Sequence, residues 1–123
     1  MKIGPHEGKE LELMLAGQKQ LAAFGDIIPK HGSIPEYIIP EQKFAPYIKE
    51  GTFIRFENIT DTNHGMLKHV CFTPPKEAWR AKTYLWLREQ ITLKTLKYED
   101  AHDWIFGRLL GYSDQDIQLF LRK

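Results

Sequence analysis

Residues 52–73 read TFIRFENITDTNHGMLKHVCFT. Two runs rich in β-branched and aromatic residues, 52–59 and 66–73, flank the polar stretch Asp61-Thr62-Asn63-His64-Gly65. Such residues suit a pleated, half-buried surface and the polar stretch suits a reversal, so the segment predicts a β-hairpin.

C-terminal to the hairpin, Pro74-Pro75 ends the second strand and opens a helix predicted over 75–93, with proline in its tolerated first turn. Its apolar residues fall on three faces: Ala78, Ala81 and Leu85; Trp79 and Trp86; Tyr84, Leu87 and Ile91. A helix apolar nearly all round is either buried on several sides or carries an exposed sticky surface. Residues 99–123 then predict a helical hairpin. Glu99, Asp100 and Asp103 place negative charge in a first turn, where it favours the helix dipole. Ala101, Trp104, Ile105 and Leu109 make the expected apolar face, and Gly111 ends the helix. Ser113 with Asp116 forms a capping-box-like start for a last helix that buries Ile117, Phe120 and Leu121.

N-terminal to the hairpin, Pro29, Pro35, Pro40 and Pro46 punctuate 29–51, leaving room for one short helix from Glu41, anchored by Phe44, Tyr47 and Ile48 and stopped by Gly51. The run 21–28 reads as a short buried strand. Leu11, Met14 and Leu15 give 8–18 one apolar helical face, and Gly17 supplies its stop. About three strands and four to five helices, mostly C-terminal, predict an α+β fold with a small antiparallel sheet. A length of 123 residues suits a single domain, 1–123.

The 17 Lys and Arg nearly balance 16 Asp and Glu, so no global field draws the chain to nucleic acid or membrane. Locally, 66–98 hold Lys68, Lys76, Arg80, Lys82, Arg88, Lys94 and Lys97 against only Glu77 and Glu89. A single cysteine, Cys71, excludes an intramolecular disulfide. Residues 1–7 lack the apolar stretch of a secretory leader, and no apolar run approaches the roughly 18 residues of a membrane span. The expected setting is the reduced cytoplasm, with no membrane partner.

Few residue groups have the spacing that chemistry demands. His6-Glu7-Gly8-Lys9-Glu10 has Glu10 where a zinc-protease helix needs its second histidine. His64 and His69 lie in and after a hairpin loop with no cysteine or carboxylate at ligand spacing. Cys71, between Val70 and Phe72, reads as a buried inert thiol. No metal or cofactor is therefore expected, and no catalytic residue is assigned. The end of the chain carries one recognisable pattern. Gly107 supplies a small residue, Gly111 a turn glycine, and Phe106, Leu110, Tyr112, Ile117 and Phe120 packing positions, so the segment resembles a helix-turn-helix over about 20 residues. That resemblance implies a DNA-binding regulator. Asp114 and Asp116 oppose it, because the start of a recognition helix faces phosphates and base edges.

The basic stretch with interleaved aromatics is the remaining positive signal, suited to stacking and phosphate contact with RNA or single strands, to a protein interface, or to core tryptophans with a solvated charged fringe. Trp79, Arg80, Lys82 and Trp86, with Lys30 and His31 from the Pro-rich segment, form the expected contact surface, since Trp and Arg dominate the energetics of interfaces. The expected role is a non-enzymatic protein-interaction module, such as a small inhibitor, immunity protein or adaptor, whose partner is another protein. Two other classes stay open: the DNA-binding regulator, and a small enzyme in which two or more of His31, His64, His69, His102, Glu10 and Asp103 converge on one pocket.

Overall fold

The computed structural model describes residues 6–122. Residues 1–5, on which part of the leader argument rests, and Lys123 lie outside the described residues. The elements in chain order are α1 (Glu10–Leu15), β1 (Ala22–Ile27), α2 (Glu41–Lys49), β2 (Ile54–Thr62), β3 (Gly65–Thr73), α3 (Ala78–Thr92), α4 (Asp100–Leu110) and α5 (Asp114–Leu121). The α+β class and the three-stranded antiparallel sheet are as predicted.

The hairpin is tighter than its polar stretch implied. Thr62 pairs with Gly65, so only Asn63 and His64 form the reversal. The Thr62 hydroxyl donates to the Gly65 carbonyl at 2.7 Å and accepts from the His64 N–H at 3.1 Å. Gly65 has φ 124°, a backbone conformation that side chains resist. Strand β1 pairs with the far side of β3, giving the order β1-β3-β2. Both outer strands run antiparallel to β3 and hence parallel to each other, with α2 in the connection between them.

Each sheet face is covered. Ala22, Val70 and Phe72 point into one core with Leu11 and Met14 of α1, Phe44 of α2, and Ile39 and Phe53 from the connections. There Phe44 stacks on Phe72 at a centroid distance of 4.0 Å. Cys71, on the other face, joins Leu21 with Ala81, Tyr84, Leu85 and Leu87 of α3 and Phe106 and Leu109 of α4. Because β3 is buried on both sides, its second half reads as a continuous apolar run instead of alternating.

Helix ends follow local chemistry. Helix α1 is shorter than the 8–18 predicted and stops in a paired reversal, with Gly17 N–H on the Met14 carbonyl and Gln18 N–H on that of Leu13. Helix α2 tolerates Pro46 in its interior, and its opening N–H groups are satisfied from a distance: Glu36 accepts from Gln42 and Lys43 N–H, both at 3.0 Å. Pro75–Glu77 forms a 3-10 turn before α3, so the predicted 75–93 helix divides into two parts.

The C-terminal hairpin forms, with its faces turned. Phe106, Gly107 and Leu109 are the buried residues of α4, whereas Ala101 and Ile105, assigned to the apolar face, are exposed. In α5 only Ile117 is buried; Phe120 is exposed and Leu121 half-buried. A Cβ on Gly107 would lie 2.6 Å from Ile117 Cδ1 and Cγ1, so α5 approaches α4 most closely at this point.

Candidate functional site

Helix α3 spans the second face of the sheet, and its composition separates two sides. Ala81, Tyr84 and Leu85, spaced to share one face, are buried. The opposite side carries Trp79, Lys82, Thr83 and Trp86, all exposed. Trp79 is 53% and Trp86 57% exposed, so of the two outcomes open to an over-apolar helix α3 takes the sticky surface.

The other predicted contact residues are placed differently. Arg80 is half-buried and fully engaged: its Nε donates to Glu77 at 2.7 Å, and its Nη1 reaches the Arg108 and Leu109 carbonyls at 3.4 and 3.3 Å. It therefore braces α3 against the end of α4, while its guanidinium lies over the Trp79 ring at 4.8 Å from the ring centre. Lys30 and His31 are exposed, but they belong to the segment whose Ile34, Ile38 and Ile39 pack in the first core, across the sheet from α3. The fold does not gather them with the tryptophans.

Between α3 and α4 lies a half-buried polar group. Arg88 places its guanidinium 3.9 Å from the Phe106 ring centre and donates from Nε to the Tyr84 hydroxyl at 3.2 Å. Burial, aided by the nearby Arg88 charge, pulls the His69 imidazole down to about 4. Burial also pushes the Cys71 thiol up to about 12, which leaves it protonated and unreactive. Arg88, Asp103, Tyr112 and Asp116, with Phe106 and Ile117, line a small cleft of about 80 Å³.

A second polar cluster joins the two ends of the chain. Lys19, 3% exposed, donates to the Leu110 carbonyl at the end of α4 and lies 2.8 Å from His6 Nδ1. The His6 ring stacks on Tyr112 at 4.2 Å. Desolvation lowers the Lys19 amine to about 8. Nothing local signals this burial, since Lys19 stands between two glutamines.

His31 and His64 are exposed in loop and turn, and His102 accepts the Glu99 N–H as part of a capping box. Of the six residues considered, only Asp103 lines the cleft. Among the described residues no group of three or more His, Cys, Asp or Glu is placed to hold a metal ion, and no helix is long and apolar enough to cross a membrane. Comparison with protein-family models, with curated proteins and with solved structures returns no match.

Proposed function

We propose that this chain is a protein-binding module, acting in the manner of a small inhibitor, immunity protein or adaptor, whose contact surface is the outer side of α3. The observation that carries this reading is the pair Trp79 and Trp86, each more than half exposed on one helix face. Large aromatics held on a rigid helix give contact area at little entropic cost, and they are the anchors on which interfaces concentrate their energy. Lys82 stands between them and Arg80 fixes one ring from behind. The single buried thiol suits a reducing, cytoplasmic setting.

A DNA-binding role is supported by the close α4–α5 crossing, which is the packing a helix-turn-helix requires. Against it, the outer side of α5 offers Leu119 and Phe120, with no Lys or Arg before Arg122. Asp114 is neutralised by a two-pronged pair with Arg108, at 2.7 and 3.0 Å, so the acidic objection rests mainly on Asp116. The α3 surface is the stronger candidate.

The double variant Trp79→Ala/Trp86→Ala separates surface from scaffold. Its circular dichroism should match the parent and its stability should fall by no more than about 1 kcal/mol, because neither ring is in a core. Capture of a partner from host extract, identified by mass spectrometry, should be lost. Unchanged capture by the folded double variant overturns the assignment.

A further inference from the structure

Leu93, the capping residue just past the end of α3, is a third large apolar residue in line with the tryptophans. Trp79, Trp86 and Leu93 follow at steps of seven residues and are 53, 57 and 51% exposed. Seven residues fall about 20° short of two full helical turns, so the row runs almost parallel to the axis for roughly 21 Å. A straight apolar row of this length is what one helix offers to another laid alongside it. A globular partner touching two rings alone would make no use of Leu93.

The surroundings of the row carry a sign. Lys76 before it, Lys82 within it and Lys94 after it are all exposed, and among the described residues none is paired with a carboxylate. Of the acidic residues of the same stretch, Glu77 is paired with Arg80 at 2.7 Å, and the half-buried Glu89 accepts from the neutral Asn58 amide at 3.4 Å. A second copy of the chain is a poor occupant. Two copies laid antiparallel about Trp86 would set the Lys76 end of one against the Lys94 end of the other. Laid parallel, each lysine would meet its own counterpart.

We propose that the occupant of this row is an acidic amphipathic helix of another protein, about four turns long, with apolar residues at heptad spacing against Trp79, Trp86 and Leu93 and carboxylates flanking them. This rests on the protein-binding reading above and adds the partner's shape and charge.

The test is a selection from a library of random peptides of about 16 residues, displayed against the wild-type protein and counter-selected on Trp79→Ala/Trp86→Ala. Recovered peptides should show apolar residues at helical spacing and an excess of Asp and Glu, and should shift tryptophan emission to shorter wavelength on binding. Lys82→Glu should weaken a recovered peptide by about tenfold or more, and so should raising salt from about 0.1 to about 0.5 M. Neutral or basic peptides that bind the row and ignore Lys82→Glu overturn the acidic partner and leave the binding surface standing. Peptides that bind the double variant as tightly as the parent remove both. Three other results overturn the helical partner: no recovered peptide, a dimer at micromolar concentration that Trp86→Ala dissolves, or salt-sensitive binding of oligothymidylate that quenches tryptophan emission.

Discussion

The imidazole of His69 stands over Gly25 of the neighbouring strand, where an added Cβ would come within 2.5 Å of its Cδ2. Glycine at that register leaves space for the ring, and the ring fills it under Tyr84 and near Arg88. Burial holds His69 neutral down to about 4, whereas in the unfolded chain it takes up a proton near 6.5. Between those values the unfolded state binds the extra proton, so stability is full above 6.5 and falls as the solution is acidified towards 4. The loss should be on the order of 2–3 kcal/mol, and His69→Gln should flatten it; urea denaturation at a series of pH values measures both. A slope unchanged by the substitution would assign the effect to other groups. The sequence marked Cys71 as buried because apolar neighbours flank it, and the same signal covers much of β3. It did not settle whether Trp79 and Trp86 face in or out. That depends on which residues α3 turns to the sheet, and a helix with apolar side chains on three faces leaves the choice to tertiary packing.

Where elements begin and end was legible wherever a backbone need has one chemical solution. Gly17, Gly51 and Gly111 follow helices in the left-handed conformation that only glycine adopts freely, and the Ser113 hydroxyl accepts the Asp116 N–H at 3.1 Å as the pair predicts. Faces were less legible, because Ile105 and Phe120 are as apolar as the residues that are buried. Gly107 marks where the two helices meet. Gly107→Ala should destabilise the chain by about 1–3 kcal/mol, since the new methyl must displace the Ile117 side chain. In an Ile117→Ala background, where Cγ1 and Cδ1 are gone, the same change should cost less by at least about 1 kcal/mol. A double-mutant cycle by chemical denaturation reads this coupling, and strict additivity would show that the α4–α5 contact is not set by this pair.

Over the whole molecule, the second core and the chain ends are tied by Lys19. Its folded amine titrates at about 8 and its unfolded one near 10.5, so between these values the unfolded state holds more protons and stability rises with pH. Two groups work against this: Cys71, pushed up to about 12 by burial, above its ordinary value near 9, and Tyr112, pushed up to about 12 by burial and the nearby Glu10, Glu7 and Asp116, above roughly 10. Thermal melts should therefore show a gain from pH 8 to about 9 that stalls and then reverses above about 10, and Lys19→Met should abolish the gain. A gain that persists in Lys19→Met would place its source elsewhere. None of this was readable beforehand, because it depends on two segments 91 residues apart meeting at the Leu110 carbonyl. Strand order was equally hidden: the hairpin signal is local, but nothing local says that β1 takes the far side of β3. That order has a consequence for the nascent chain. During synthesis β1 emerges first and has no strand to pair with, since β2 will never touch it and β3 ends only at Thr73. The aromatic residues of the first core, Phe24 and Phe44 among them, must wait in the open for Phe72. Any chaperone that meets this protein on the ribosome has that interval in which to act.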